Sequence, residues 1–303
     1  MHSPEEVARR AVNARSIASM AGSMACFVVN DALVKYASQS LPAAQLIFLR
    51  GVMATVLVLA VAHALGATTR IGDIVRGKVA VRAVVDAAAT MLYLSSLFHL
   101  PLGNATAINL AAPLVMVAFA VLFLGERVAL AYWLAILVGF AGVLLIIQPR
   151  AGGFNGWAWV CLLGTLFHAT RDLLTRQIAQ NIPSILITLA TAAAVTILSG
   201  ITSAVQGWKP FGAFEVMLLA AASVFLAAGY YLIINAMRHG EMSLTAPFRY
   251  TSLLFALVIG FVVWGEVPNL PAWCGIGLLL ASGLYVLHQE RTRRTQGAHK
   301  KNS

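Results

Sequence analysis

The chain is a row of apolar segments, each about as long as a bilayer is thick, with little between them. A hydrocarbon core of about 30 Å takes about 20 residues of α-helix to cross. Ten stretches meet that length: Ser16–Val34, Ala43–Leu65, Val79–Phe98, Leu102–Phe123, Val128–Ile147, Gly156–Leu174, Pro183–Val205, Ala213–Met237, Ser243–Trp264 and Pro271–Leu287. Hydrocarbon holds no water to satisfy a backbone N–H or C=O, so a spanning segment must close its own hydrogen bonds as a helix or join a closed barrel. These segments are about twice as long as a barrel strand and lack its two-residue alternation. Helices remain. With 60% hydrophobic and only 11% charged residues, the chain could not cover a soluble surface of this size. No connecting stretch is long enough to fold as a separate domain.

The second half repeats the first about 140 residues on. Asp31, Leu33, Lys35, Gln39 and Pro42 return as Asp172, Leu174, Arg176, Gln180 and Pro183, at the same internal spacing. Gly125, Glu126, Leu130 and Trp133 return as Gly265, Glu266, Leu270 and Trp273. A shared preference for Leu and Ala does not place an acid, a cation, Gln and Pro in one register. The expected organisation is two five-helix repeats, 16–148 and 155–288, flanked by basic tails at 1–15 and 289–303.

Orientation follows from Lys and Arg. With the N-terminus in the cytoplasm, the inner face gathers the basic tails together with Arg70, Arg76, Lys78, Arg82, Arg127, Arg176 and Arg238. The outer face keeps Lys35, Arg150 and Lys209. Both termini are therefore expected inside. Arg9, Arg10 and Arg15 before an apolar run resemble a signal peptide, but the many spans that follow favour a retained first helix. Five helices per repeat send the second repeat into the membrane from the opposite side. The Gly125-Glu126 turn is then cytoplasmic and the Gly265-Glu266 turn external. Halves so inverted can exchange shapes and open a central site to alternate sides, an architecture of secondary transporters.

Local motifs add a resemblance. Asn30-Asp31-Ala32-Leu33-Val34-Lys35 with Gln39 and Pro42 ends the first span, and Ile47-Phe48-Leu49-Arg50 lies early in the second. Leu100-Pro101-Leu102-Gly103-Asn104-Ala105 leads to Ala112-Pro113-Leu114, and Phe123-Leu124-Gly125-Glu126 closes the fourth. In this order the chain resembles the drug/metabolite transporter superfamily, in its ten-helix branch built of two EamA units. The likeness runs from about Ser16 to about Leu287 and departs at Glu241-Met242-Ser243, where the first half has Pro101-Leu102-Gly103. The resemblance implies an all-α membrane fold and export of small metabolites, with YddG-type amino acid exporters among its members.

Ionisable groups inside a span cost about 2.5–3.5 kcal/mol each on insertion scales, so each needs a reason. Asp31 and Lys35 stand four apart with the acid first, the favourable order for an ion pair, and Asp172 and Arg176 repeat this. The two pairs read either as snorkelling cations with their counterions or as parts of opposite gates. Arg50 lies about eight residues past Pro42, roughly 12 Å deep, beyond easy snorkelling. Arg249, beside Tyr250, is comparably deep from the other face, and Asn109 is its counterpart in the first repeat. Asp86, half-way along the third span, is the expected partner for one of these arginines, in a structural pair or at a substrate site. His168, Arg171 and Asp172 share one turn, where His168 and Asp172 can exchange a proton. Asn30, Tyr93, Asn109 and Asn235 are candidates to hydrogen-bond a zwitterion or to join helices. Glu126 and Glu266 read as capping or packing groups, and Pro113 and Pro247 as kinks that can free carbonyls toward a cavity.

Other classes fit less well. The net charge of +10 clusters in tails and loops rather than along an aromatic groove, so no nucleic acid is expected. Cys26, Cys161 and Cys274 lack pairing or metal-ligand spacing. No H-E-x-x-H, phosphate-cradling glycine loop or G-x-S-x-G occurs. The expectation is a bacterial inner-membrane secondary transporter or facilitator, without cofactor or metal, monomeric, exporting small metabolites and amino acids by preference. The alternatives are a nucleotide-sugar or drug transporter and, from another class, a membrane-embedded lipid-modifying enzyme.

Overall fold

Prolines mark where helices begin. Pro42, Pro101 and Pro183 each stand immediately before a helix, with φ near −60° and ψ of 143°, 138° and 133°. The extended ψ turns the chain, and the missing N–H falls where a helix has no acceptor for it. The computed structural model describes residues 4–124, 130–148, 156–175, 177–179, 181–239 and 246–299. In chain order the helices are α1 Pro4–Ala37, α2 Ala43–Ala64, α3 Gly77–Leu97, α4 Leu102–Asn109, α5 Ala112–Leu124, α6 Leu130–Ile147, α7 Gly156–Thr175, α8 Ser184–Gln206, α9 Ala213–His239, α10 Thr251–Trp264 and α11 Leu270–His299. Short 3₁₀ helices, Ala67–Val75 and Ala246–Tyr250, precede α3 and α10. The described residues contain no strand.

Several segments differ from the sequence-based expectation. The fourth, expected to run unbroken from Leu102 to Phe123, breaks at Leu110-Ala111. Pro113 has no N–H to offer the Asn109 carbonyl, and the chain tightens into i→i−3 bonds, Ala111 N–H to Ile108 O at 3.1 Å and Leu114 N–H to Ala111 O at 2.9 Å. In the ninth, expected from Ser243, the described residues open with a 3₁₀ turn, Ala246–Tyr250, that contains Pro247 and precedes α10. Helix also continues through much of both basic ends, since α1 starts at Pro4 and α11 stops at His299. Six helical stretches are long and apolar enough to cross a membrane: Ala14–Ala37, Ala43–Ala64, Gly77–Leu97, Ser184–Gln206, Ala213–Ile233 and Pro247–Trp264. Leu102–Val115, Trp133–Ile147 and Leu270–Val286 are shorter apolar helices. The seventh helix carries His168, Arg171 and Asp172 and is not in either set.

Large apolar side chains face outward, and polar and charged ones are buried within the apolar core. Val56, Ile197, Val205, Leu254 and Val262 point outward, whereas Asn30, Gln45, Arg50, Asp86, His168 and Thr191 are buried. A bilayer requires that inversion, because each polar group on the lipid side would lack a partner. Together with the apolar helices it makes this a multi-pass membrane protein.

Helix pairing follows the internal repeat. The principal interfaces are α1 with α9, α2 with α8, α3 with α7 and α6 with α11. Exchanging each first-half helix for its second-half counterpart turns the α1–α9 interface into α7–α3 and leaves α2–α8 and α6–α11 in place. The α5–α7 contact becomes α10–α1, which is also present. Small residues bring these pairs close. A Cβ on Gly142 would lie 2.6 Å from the Gly275 carbonyl oxygen, so α6 and α11 meet backbone to backbone. A Cβ on Gly51 would lie 2.7 Å from Thr196 Oγ1, which fixes the approach of α2 to α8.

Contacts near the helix ends fall into two groups. Gln45 Nε2 donates to Lys209 O at 2.8 Å while Lys209 N–H donates to Gln45 Oε1 at 2.9 Å. Gln148 and Asn269 bond reciprocally at 2.6 and 3.0 Å, and His99 stacks on Trp157 with centroids 3.9 Å apart. Elsewhere Arg70 Nη1 donates to Asn181 O at 2.7 Å and Lys78 Nζ to Gln177 Oε1 at 3.0 Å. None of these bonds joins a loop expected outside to one expected inside.

Candidate functional site

A cavity of about 940 Å³ lies among α1, α2, α3, α7, α8 and α9, with the α4–α5 break and the 3₁₀ turn before α10 also in its wall. That is ample for a small metabolite. Both segments contribute: Asn109, Leu110 and Pro113 from one, Arg249, Tyr250 and Ser252 from the other. Irregular backbone at membrane depth is tolerated where it lines such a space.

Two polar clusters line the wall. In the first, Arg50 Nη1 donates to Asn30 Oδ1 at 3.2 Å, Asn30 Nδ2 donates to Asp31 Oδ1 at 2.9 Å, and Tyr93 OH donates to Asp31 Oδ2 at 3.1 Å. Helices α1, α2 and α3 are thereby tied at one point. The second cluster centres on Asp86, which is only 2% exposed. Arg171 Nη1 reaches Asp86 Oδ1 at 2.9 Å and Arg82 Nη1 reaches Asp86 Oδ2 at 3.3 Å. Thr191 OH donates to Asp86 Oδ2 at 3.1 Å, and Arg171 Nη2 also holds Asp172 at 2.9 Å. Both carboxylate oxygens of Asp86 have charged or hydrogen-bonding partners, as a buried carboxylate needs. Between the clusters His168 Nδ1 meets Asn109 Oδ1 at 2.8 Å, tying α7 to the α4–α5 break.

A third group closes one end of the bundle. Lys35 Nζ bonds Glu266 Oε1 and the Leu100 carbonyl oxygen, both at 2.6 Å, and lies 4.7 Å from the Trp264 ring centroid. Glu266 Oε2 accepts the Leu102 N–H at 2.7 Å, one of the otherwise unbonded donors of the first turn of α4. Gly265, at φ +66°, makes the turn that places this carboxylate, with Glu266 N–H on Gly260 O at 3.1 Å.

Asn30, Arg50, Asp86, Tyr93, Asn109, His168, Arg249 and Tyr250 all line the cavity, as do Asp31, Arg171 and Asp172. The Asn235 and Arg176 side chains and the Gly125-Glu126 turn lie outside what is described. Three expected pairings are corrected. Asp31 does not pair with Lys35, because Lys35 finds a carboxylate, a carbonyl and an aromatic face across the bundle. Asp86 joins Arg82 and Arg171 rather than Arg50 or Arg249. His168 bonds Asn109 rather than Asp172, which Arg171 occupies. Arg82, Thr191 and Tyr230 are lining residues the sequence reading missed. Arg82 stands four residues before Asp86, a spacing that could have found it.

Comparison with known proteins agrees with this architecture. A model described as the EamA-like transporter family matches twice, at residues 14–148 and 155–287. The pseudopaline exporter CntI of Pseudomonas aeruginosa strain UCBPP-PA14 is 29% identical over 273 residues, 86% of this chain and 89% of that protein. A riboflavin transporter of Rhizobium johnstonii is 27% identical over 218 residues, 72% of each chain. An S-adenosylmethionine uptake transporter of Rickettsia bellii is 25% identical over 191 residues, 63% of this chain and 65% of its own. A crystal structure covering 92% of the chain superposes with a TM-score of 0.62 at 18% identity, a likeness of fold. The family and these relatives are transporters, not enzymes. Two family matches spanning nearly the whole sequence, on a helical bundle whose cavity carries charged side chains, place the chain in the EamA-like transporter family of the drug/metabolite transporter superfamily.

Proposed function

We propose that this protein exports small metabolites, amino acids foremost, across a bacterial inner membrane by alternating access. In this reading ten spans form two inverted five-helix repeats with both termini in the cytoplasm. The observation that carries it is the central cavity, walled by the α4–α5 break, the 3₁₀ turn before α10, and acids and arginines within reach of a carboxylate and an ammonium. The self-consistent exchange of helix interfaces supports the repeat, and the sorting of end contacts supports the topology. With the N-terminus inside, Lys35, Leu100, Leu102 and Glu266 all fall on the external side. Their clasp then shuts that side, and Asp31, bonded to Tyr93 and Asn30, belongs to the cavity instead.

Flux of a labelled amino acid panel in proteoliposomes, with and without a pH gradient, tests the reading. The expected result is saturable movement of at least one amino acid, lost in Arg50→Ala. If no amino acid moves while a nucleoside-based or lipophilic solute does, the substrate assignment is wrong and the transporter reading stands.

A further inference from the structure

The charges lining the cavity do not cancel, and their remainder describes a substrate. Four arginines, Arg50, Arg82, Arg171 and Arg249, face three aspartates, Asp31, Asp86 and Asp172. Arg82 and Arg171 with Asp86 and Asp172 form a closed group of two cations and two anions. Arg50, Arg249 and Asp31 are left over.

Each of the three is under-used. Arg50 is only 6% exposed, yet among the described residues only one of the five N–H donors of its guanidinium has a partner, the neutral Asn30 at 3.2 Å, and Nε has none. Among the described residues the Arg249 guanidinium has no ion pair or hydrogen bond, although it lines the cavity. Among the described residues Asp31 accepts only from the neutral donors Asn30 and Tyr93. Beside Arg249 the buried Tyr250 hydroxyl is likewise unpartnered. Donors left unbonded where they are buried, as on Arg50 and Tyr250, are costly unless a ligand supplies the acceptors.

We infer that the substrate is an amino acid with two carboxylates for one ammonium and a net charge of −1, its carboxylates on Arg50 and Arg249 and its ammonium on Asp31. This inference rests on the amino acid transport reading and narrows it. A zwitterion with one carboxylate would leave one guanidinium unpaired in the closed cavity. A dicarboxylate without nitrogen would leave Asp31 facing added negative charge.

The test is counterflow in proteoliposomes with labelled L-glutamate, L-glutamine and glutarate, which differ in one group at a time. Loss of a charge-assisted pair should favour glutamate over each of the other two by about tenfold or more. Arg249→Gln should narrow the glutamate-to-glutamine ratio, and Asp31→Asn the glutamate-to-glutarate ratio, in variants that remain monodisperse. Equal movement of wild-type glutamate and glutamine would overturn the charge assignment while leaving amino acid transport in place. Failure of these and of every neutral or basic amino acid to move would overturn both. A preference for glutamate that survives Arg249→Gln in a folded variant would remove Arg249 from the inference, and with it the two-carboxylate assignment. The wild-type ratios alone decide the substrate class if a variant does not fold.

Discussion

Among single residues, Arg50 and Asp86 are both buried but differ in how firmly they are held. Asp86 is held by two arginines and a threonine, so Asp86→Asn removes the buried counterion that Arg82 and Arg171 share, leaving Arg171 with Asp172 and Arg82 with threonine hydroxyls. Breaking one partner of such a group costs about 3–5 kcal/mol, and thermal unfolding in detergent should show a marked loss of stability. Arg50 makes one hydrogen bond in the same interior. Arg50→Ala should therefore fold and fail to transport, and Arg50→Lys should recover little because a point charge lacks the guanidinium fork. Normal flux through a folded Arg50→Ala would remove it from the site. That these residues would face inward was legible from depth alone, since a charge eight residues into a span has nowhere else to go. Their partners were not legible. Spacing along one helix favours Asp31 with Lys35, but Lys35 takes acceptors 65 and 231 residues away, and local periodicity encodes no such distance.

At the level of elements, the Lys35–Glu266 clasp joins the end of α1, the start of α4 and the end of α10. A clasp made in one state only should, when broken, shift the population toward the state that lacks it. Lys35→Met and Glu266→Gln should each raise labelling of cavity cysteines by an impermeant thiol reagent applied outside, and the double variant should add little to either. Unchanged outside labelling in both would make the clasp a static anchor. The proline starts at Pro42, Pro101 and Pro183 were visible in the sequence as punctuation. The break at Leu110-Ala111 was visible only as a kink at Pro113, because the hydrophobic run continues through it and hydropathy does not register a lost hydrogen bond. The place of Glu266 at a helix end suggests capping or packing, and it caps the α4 N-terminus; its ion pair with Lys35 depends on how the two halves meet.

For the whole molecule, cysteines introduced at Asp73 and Asn181 should be labelled from the cytoplasm, and those at Lys209 and Asn269 from outside. Asn181 and Lys209 on the same side would undo the inverted arrangement. The repeat that predicts this topology survives as an acid, a cation, a glutamine and a proline in register, because those residues mark helix ends that both halves need. The Gly142–Gly275 approach adds a consequence for how the chain is made. Translation reaches Gly275 133 residues after Gly142, roughly 7–27 s later at about 5–20 residues per second. Throughout that interval the Gly142 face of α6 lacks its α11 mate, a surface on which other helices can dock. A nascent chain stopped before Leu270 should therefore insert but be recognised by membrane proteases as unfinished. A separately synthesised segment spanning residues 266–303 should restore its lifetime, unless Gly275 is replaced by leucine.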